Sequence, residues 1–193
     1  MTVPGLPDVR SVLEGRAPRE LAEHEKWAAV AMLLRAGVSG PELFFIRRAE
    51  HPRDPWSGHM AFPGGRQDAD DTTLLHTAMR ETHEEVGLDL SVEAEHIGQL
   101  DDLQAIARGK PLETVIRPFV FEVHRESPIQ VDETEVAEAL WTPLLPLYRG
   151  EVDTVRPYQW QGTQIDFPAY DVGGHLVWGL TYQMLRSFFR ILG

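Results

Sequence analysis

The sequence predicts an α/β fold in which helices cover a mixed sheet, and three observations indicate it. Residues 27–34 (WAAVAMLL) form an unbroken apolar run, which is typical of a buried strand. Residues 115–124 (VIRPFVFEVH) have the composition of a second strand. Amphipathic helices are predicted between these strands and again at residues 177–192, so helices and strands are interspersed along the chain.

The first half of the chain is expected to open with an N-terminal extension, residues 1–25, packed on a single domain that spans 1–193. Glycine and proline divide the rest of this half into short elements. The predicted elements are short helices at 9–13 and 21–27, strands at 27–34, 42–47 and 59–62, a turn at 36–41 and a loop at 51–58. The first two strands are predicted to form a hairpin.

The stretch from 62 to 88 reads FPGGRQDADDTTLLHTAMRETHEEVGL and carries most of the chemistry. It contains a tight turn at Gly64 and Gly65, followed by a helix. Asp70 and Asp71 are both good N-caps for this helix, and Gly87 is expected to end it. Acidic residues at this end also suit the helix dipole.

The second half is expected to continue the sheet and to end in a helix. Its predicted elements are strands at 95–100, 115–124 and 139–143, a polar loop at 101–111, an acidic segment at 127–138, a helical turn at 144–149, two strands in 158–170 around Gly162, and the helix at 177–192. Pro118 within the strand at 115–124 indicates a bulge or a sheet edge.

Three carboxylates of the helix are spaced so that they lie in one small area. Glu81, Glu84 and Glu85 follow one another at intervals of 3 and 1, and residues i, i+3 and i+4 share a helix face. The opposite stripe is predicted to contain Leu75, Ala78, Met79 and Thr82. One interpretation is a solvated acidic face; the other is a site for Mg²⁺ or Mn²⁺, which prefer oxygen ligands. Arg80 is placed to hold one carboxylate in position.

The string RETHEEVGL at 80–88 resembles the second half of the Nudix box, and Gly65 resembles its opening glycine. The resemblance implies a Nudix-type α/β/α sandwich and hydrolysis of a nucleoside diphosphate linked to another moiety. It also implies that Glu81, Glu84, Glu85 and the Gly65 carbonyl bind a divalent metal, with Arg80 and Glu84 in the catalytic set. The chain has one residue more than the usual box between Gly65 and Arg80. As a result the box's outer acid corresponds either to Asp71 or to Thr72, and its role stays open.

A general base is expected in the acidic segment before the strand at 139–143. Relatives of this family often carry a glutamate on a loop shortly before a strand that contains tryptophan. Trp141 marks that strand here, and Glu135 lies at the matching position. Asp132, Glu133 and Glu138 are the alternatives.

The region before the box resembles the additional motif of coenzyme A pyrophosphatases. Arg48, Ala49 and Arg53 precede Gly58 and the FPGG string at 62–65, although the gap from Arg53 to Gly58 is one residue longer than usual. The HLVWGLT string at 175–181 is also similar to this subgroup. Arg48 and Arg53 are therefore expected to bind substrate, since guanidinium groups pair well with phosphates. Gly64 is expected to bind substrate as well. The predicted substrate is coenzyme A or a thioester of it; ADP-ribose, a nucleotide sugar or a dinucleoside polyphosphate is the alternative.

Composition excludes several other mechanisms and partners. The 193 residues include no cysteine, which rules out a thiolate metal site and a cysteine nucleophile. The formal net charge is −12, which disfavours nucleic acid and anionic membranes as partners. No apolar run is long enough to span a membrane, and no secretory signal is recognisable, so a cytoplasmic protein is expected. A homodimer is the expected oligomeric state. His51, His59 and His83 have no second histidine at metal-site spacing, and we expect them to be structural or exposed.

Overall fold

The structure is a computed structural model that describes residues 5–22, 24–52, 54, 56–107, 109–125, 127–160 and 163–193. Its helices are α1 (Leu6–Glu14), α2 (Leu74–Val86), α3 (Leu90–Glu93), α4 (Leu144–Arg149) and α5 (Gly179–Leu192). Its strands are β1 (Lys26–Gly37), β2 (Gly40–Arg48), β3 (Met60–Ala61), β4 (Gly64–Arg66), β5 (Ala94–Gln99), β6 (Leu103–Ala107), β7 (Lys110–Val123), β8 (Val136–Pro143), β9 (Asp153–Trp160), β10 (Thr163–Val172) and β11 (His175–Val177).

The larger sheet is mixed and is built around β1. This strand pairs antiparallel with β2 and parallel with β7. Strands β3 and β8 extend the sheet from β2, β5 and β6 extend it from β7, and β4 pairs with the first half of β1. The predicted hairpin is confirmed, with Leu34 opposite Leu43 and Gly37 opposite Gly40.

Helices cover both faces of this sheet because alternate residues of β1 point to opposite sides. Ala31 and Leu33 are buried in one core cluster together with Ala78 of α2. Met32 is buried in a second cluster together with Leu185 of α5. The molecule is therefore an α/β/α sandwich, and the predicted fold class is confirmed. None of the helices in the described part of the chain is long and apolar enough to cross a membrane.

The N-terminal helix α1 lies against β5, β1 and α5. Val9 and Leu13 are buried in the same core cluster as α5. On its outer side, Arg10 forms ion pairs at 2.7 Å with both Glu95 and Glu122. Apolar burial and a short charge network thus attach this segment to the edge of the sheet.

A second, smaller sheet of β9, β10 and β11 is antiparallel throughout. Its last strand leads directly into α5, so the sheet stands beside the start of that helix. Gly162, around which the two strands of residues 158–170 were predicted, lies outside the described residues. The C-terminal helix begins at Gly179, because Val177 pairs with Tyr170 as part of β11.

Two sequence predictions about connecting segments are wrong. No helix forms at 21–27 in the described residues there; the Leu21 amide donates instead to Asp102 Oδ2 at 2.8 Å, and β1 starts at Lys26. The predicted loop at 101–111 contains β6, which pairs with the start of β7. Long-range partners decided both segments: a buried carboxylate in the first case and the free edge of β7 in the second.

The interpretation of Pro118 as an edge residue is also wrong. Pro118 pairs with Val30 on one side of β7, and on the other side its carbonyl accepts from the Leu100 amide at 2.9 Å. The register shifts lie between His96 and Gly98 of β5 and between Pro111 and Val115 of β7, rather than at Pro118 itself. Proline fits here because it lies where β7 changes partner from β6 to β5. The backbone N–H that proline lacks is therefore not needed for a continuous row of strand hydrogen bonds.

Candidate active site

Helix α2 begins later than predicted. Its N-cap is Thr73, whose side chain accepts from the His76 amide at 3.0 Å, rather than Asp70 or Asp71. The predicted end is confirmed, because Gly87 lies in the left-handed region at φ 75° and donates its amide to the His83 carbonyl. Thr77, Ala78, Thr82, Glu85 and Val86 are the buried residues of the helix, so one carboxylate lies inside the protein.

Asp71 is bound to an arginine of the helix instead of capping it. Arg80 Nε donates to Asp71 Oδ1 at 3.0 Å, and Arg80 Nη2 donates to Asp71 Oδ2 at 2.8 Å. Thr77 and the Asp68 amide also donate to Oδ2. These bonds hold the pKa of Asp71 far below its usual value, with the Arg80 hydrogen bonds as the main cause. Asp71 and Thr72 are the two residues that could be the outer acid of the box. Asp71 is the one that contacts Arg80.

The Gly64–Gly65 segment is a short strand, so the prediction of a tight turn there is wrong. Strand β4 pairs with β1, with Gly65 opposite Ala29. A side-chain Cβ on Gly64 would lie 2.2 Å from the Ala29 carbonyl oxygen, and one on Gly65 would lie 2.4 Å from the Glu81 carboxylate. Glycine is needed because the backbone approaches both β1 and the carboxylates more closely than a side chain permits.

Three carboxylates meet beside this strand. One oxygen from each of Glu81, Glu85 and Glu135 lies within 4.8 Å of the others, which is a separation suited to a shared cation. Glu81 and Glu85 come from successive turns of α2. Glu135 comes from the segment just before β8. The cluster thus combines the helix with a residue far away in the sequence.

Glu85 is the most buried member, and only 1% of its side chain is exposed. Its Oε2 accepts from the Gly64 amide at 2.9 Å. Its Oε1 is buried without a hydrogen bond in the described structure; Arg48 Nη1, at 3.8 Å, is too far away to donate one. Burial raises the pKa of Glu85 to about 8, and the neighbouring carboxylates of Glu81 and Glu135 add to this effect.

The other two helix glutamates contact Arg80. Glu81 is 15% exposed and lies 3.1 Å from Arg80 Nη2. Glu84 is 56% exposed and accepts from Arg80 Nη1 at 2.8 Å. Glu84 was expected to share the metal with its neighbours, but its carboxylate lies outside the group of three and at the rim of the same cavity. Helical geometry is the reason, because successive residues are about 100° apart, so Glu84 and Glu85 lie on opposite sides of Glu81. Glu84 therefore lies on the side where it pairs with Arg80.

The segment that carries Glu135 is fastened to the end of α2. The Gln130 amide donates to the Val86 carbonyl and the Asp132 amide donates to the Glu85 carbonyl, both at 3.0 Å. The Ala49 amide then donates to the Glu135 carbonyl at 2.8 Å. These backbone bonds fix where the Glu135 side chain starts.

The alternatives to Glu135 lie elsewhere. Asp132 accepts from the Thr134 amide and hydroxyl, which also lower its pKa. Glu133 is exposed. Glu138 pairs with Arg47 and His175. Within the described structure, Glu135 is the one member of this acidic segment that reaches the carboxylate group.

The carboxylates open into a cavity of about 490 Å³. Arg48 lines it and donates to Asp54 Oδ2 through Nε at 3.1 Å and Nη2 at 2.9 Å, so it is held between Asp54 and Glu85. Sequence reasoning did not single out Asp54. Arg53, the second arginine of the additional motif, lies outside the described residues. Trp56 and Met60 line the cavity as well, and Met60 is buried in the core.

None of the three histidines noted in the sequence joins the carboxylate group. His51 and His83 are exposed. His59 is half-buried and packs on Trp178 with the ring centroids 4.7 Å apart. Burial lowers the pKa of His59 to about 4, and the nearby Arg156 adds to the shift, so its imidazole is neutral at pH 7.

The donor set fits a divalent cation. Three carboxylates crowd together, one of them has an oxygen that is buried without a donor, and Gly65 leaves the backbone free to approach. Burial, together with repulsion from neighbouring carboxylates, raises the pKa of Glu85 and of Glu81. A hard cation would satisfy the buried oxygen and favour the ionised form of both groups. Oxygen-only ligands of this kind suit magnesium or manganese.

The sandwich and this carboxylate-lined cavity suit a metal-dependent hydrolase of phosphoric anhydrides. The family model described as NUDIX domain matches residues 24–161, which is more than half of the chain. The protein therefore belongs to the Nudix family, as its box predicted, and it is a pyrophosphohydrolase.

Relatives of known sequence agree with this assignment. The chain is 31% identical over 158 residues to an uncharacterized Nudix hydrolase, NudL, of Yersinia enterocolitica, covering 76% of this chain and 71% of the relative. It is 38% identical over 119 residues to an uncharacterized protein of Schizosaccharomyces pombe. That match covers 61% of this chain but spans only about a third, 36%, of the longer fission-yeast protein.

Solved structures are similar in fold. A MutT/nudix family protein from Enterococcus faecalis superposes with a TM-score of 0.53 at 14% identity, covering 98% of this chain and 70% of that one. The binary complex of the Caenorhabditis elegans Ap4A hydrolase superposes with a TM-score of 0.51 at 19% identity, covering 64% and 84%. Identities this low establish a shared fold. The predicted family and enzyme class are thus confirmed, while the coenzyme A subgroup stays a prediction.

Proposed function

We propose that the protein is a metal-dependent pyrophosphohydrolase of coenzyme A or its thioesters, giving 3′,5′-ADP and a 4′-phosphopantetheine product. The observation that carries the chemistry is the approach of Glu81, Glu85 and Glu135 to within 4.8 Å beside the glycine strand. The substrate assignment is supported by the additional motif, of which Arg48 lines the same cavity. The proposed metal is Mg²⁺ or Mn²⁺.

The chain's own residues prepare the site in three ways. Glu81, Glu85 and Glu135 offer the carboxylates, and the Gly65 carbonyl is a further candidate ligand. The metal, when bound, would mask the charge of the diphosphate and orient a water for attack on phosphorus. Arg48 offers a cation to the diphosphate, and the bare backbone at Gly64 lets the substrate approach closely.

Proton removal from the attacking water is assigned to a carboxylate that lines the cavity. Glu135 is exposed and joins the group from a separate segment, so it can accept a proton without distorting α2. Glu84 is the second candidate, because it lies at the rim of the cavity and is held by Arg80. Arg80 positions both Glu81 and Glu84, which is the role that we propose for it.

The alternative substrates are ADP-ribose, a nucleotide sugar or a dinucleoside polyphosphate. The similar structure from Caenorhabditis elegans is named for Ap4A hydrolysis, but at 19% identity the likeness concerns the fold. A substrate panel with Mg²⁺ or Mn²⁺ distinguishes these compounds. Release of 3′,5′-ADP from coenzyme A, at the highest kcat/KM of the panel, is expected. Rapid cleavage of ADP-ribose with coenzyme A untouched would exclude the assignment.

A binding module that has lost catalysis is the other class of function, and Glu85→Gln tests it. The variant is expected to lose metal-dependent hydrolysis by at least a hundredfold while staying folded. Glu133→Gln is the matched control, because Glu133 is exposed and outside the cluster. Two results together would show that the protein is a binding module. The parent protein would release no product with any metal, and the Glu85→Gln variant would bind the ligand as tightly as the parent does.

A further inference from the structure

A second cavity of about 640 Å³ lies beside the first. The two share five lining residues, namely Asp54, Trp56, His59, Trp178 and Leu180. The second is bounded by β9 and β10 of the smaller sheet and by the start of α5. A ligand held at the carboxylate cluster can therefore extend past His59 and Trp178 into it.

Among the described residues that line this second cavity, Arg156 is the cation, and its guanidinium lies over an aromatic ring. Its guanidinium carbon lies 4.1 Å from the centroid of the Trp178 ring. Trp178 in turn contacts His59 at 4.7 Å and Phe167 at 5.8 Å between ring centroids. Stacking of this kind restricts a flexible side chain before any ligand arrives.

The charge of Arg156 has no counterpart among the residues that the structure describes. Its Nε is buried and has no hydrogen-bond partner, and no ion pair to its guanidinium is formed within the described residues. Asp54, an acid that also lines this cavity, is already bound to Arg48 and to the Trp56 amide. His59 is uncharged at pH 7, so it adds no second cation. A buried donor next to aromatic rings is costly without an acceptor, and the described residues supply none, so an acceptor from a ligand would be favourable.

Arg48 cannot serve this purpose, because it is engaged elsewhere. It is bonded to Asp54 and lies 3.8 Å from Glu85, which places it beside the scissile diphosphate of the proposed reaction. A second phosphate of the substrate therefore needs another partner.

We propose that Arg156, supported by Trp178, forms an anion subsite for a substrate phosphate outside the cleaved diphosphate. This inference rests on the proposed function. In coenzyme A that phosphate is the 3′-phosphate monoester; in a dinucleoside polyphosphate it is an additional phosphate of the chain. The subsite makes Arg156 a specificity residue that selects substrates by their remote charge.

The test compares matched substrates that differ in this one group. Coenzyme A is paired with dephospho-coenzyme A, and diadenosine tetraphosphate is paired with diadenosine diphosphate. For one of these pairs, Arg156→Gln is expected to lower the preference in kcat/KM for the more phosphorylated member by about tenfold or more, the effect of one charge-assisted hydrogen bond. Arg156→Lys should restore part of it. Arg149→Gln, an exposed arginine of α4 paired with Glu151, is the control and should keep the preference.

A binding measurement separates this proposal from the proposed reaction. Adenosine 3′,5′-bisphosphate and AMP differ in the same phosphate but contain no anhydride, so their affinities can be compared by calorimetry without hydrolysis. The wild type is expected to bind the bisphosphate about tenfold more tightly, and Arg156→Gln to abolish the difference. An equal loss for both members of each pair, or a wild type indifferent to the extra phosphate in every comparison, would overturn the subsite. Retained bisphosphate preference without any hydrolysis would overturn the reaction alone.

Discussion

Arg80 binds Asp71 through two hydrogen bonds, from Nε at 3.0 Å and from Nη2 at 2.8 Å, and this pair connects the start of α2 to its catalytic face. The same guanidinium contacts Glu81 and Glu84. Asp71 therefore determines where Arg80 lies, and Arg80 determines where two of the helix carboxylates lie. A residue outside the carboxylate cluster thus controls its geometry.

Asp71→Asn is expected to destabilise the protein by about 2 kcal/mol, because it leaves the partly buried Arg80 without its main counter-charge. Urea unfolding measures this loss. Asp70→Asn is the control, since Asp70 is exposed and no hydrogen bond to it is formed among the described residues. The pKa of Asp71 is lowered in the folded protein, so its stabilising contribution is fully present above the ordinary value of 3.8. It declines as the pH falls from there towards the lower folded pKa. Equal stability of the two variants would show that the pair contributes nothing.

The two glycines of β4 are predicted to respond differently to alanine. Gly64→Ala should cost about 3 kcal/mol or more, because the new Cβ meets the backbone of β1 and Gly64 has φ 147°. Gly65→Ala should cost less stability, since the atoms it meets belong to the movable Glu81 side chain, but it should weaken metal binding. Denaturant unfolding and metal titration together distinguish the two effects. Gly15→Ala, where a Cβ meets nothing closer than 3.5 Å, is the control.

Metal affinity is expected to depend on Glu135 although it lies outside the box. Glu135→Gln removes one of three carboxylates and should lower the affinity for Mn²⁺ by at least tenfold in calorimetric titration. Glu133→Gln, two residues away and exposed, should bind Mn²⁺ as the parent does. If instead Glu135→Gln retains metal affinity but loses kcat, Glu135 acts as the base without being a ligand.

The metal-free protein should become less stable as the pH rises. Glu85 has an ordinary pKa of 4.5 and a pKa of about 8 in the folded chain, so between these values the folded state holds the proton that the unfolded state has released. The contribution of Glu85 to the free energy of unfolding therefore falls with rising pH across that window and levels off above it. The lowered pKa of His59 acts in the opposite direction below its ordinary value of 6.5 and offsets part of this fall. Thermal unfolding in a chelator at pH 5 and pH 8 measures this difference.

Two additions make the pH experiment decisive. In Glu85→Gln the slope should be much smaller, because the titrating group is gone. Saturating Mg²⁺ should remove or reverse the slope, since a cation favours the ionised carboxylate. The same pH dependence in chelator for the parent and for Glu85→Gln would contradict the assignment of the shift to Glu85.

The features that depend on local spacing could be predicted from the order of the residues. The hairpin of β1 and β2, the C-cap at Gly87 and the proximity of Glu81 and Glu85 follow from turn chemistry and from the 3.6-residue period of a helix. These are properties of neighbouring residues, and the rest of the fold has only to preserve them.

The contacts between distant segments could not be predicted in this way and are known from the folded structure. Glu135 reaches Glu85 because its segment is bonded to the end of α2, Asp71 binds Arg80 instead of capping the helix, and Arg156 lies on Trp178 because the small sheet stands beside α5. Each contact exists because core packing and strand pairing bring remote parts of the chain together. Bringing remote segments together costs chain entropy, which the interactions of the whole fold offset. No local sequence pattern therefore predicts these contacts.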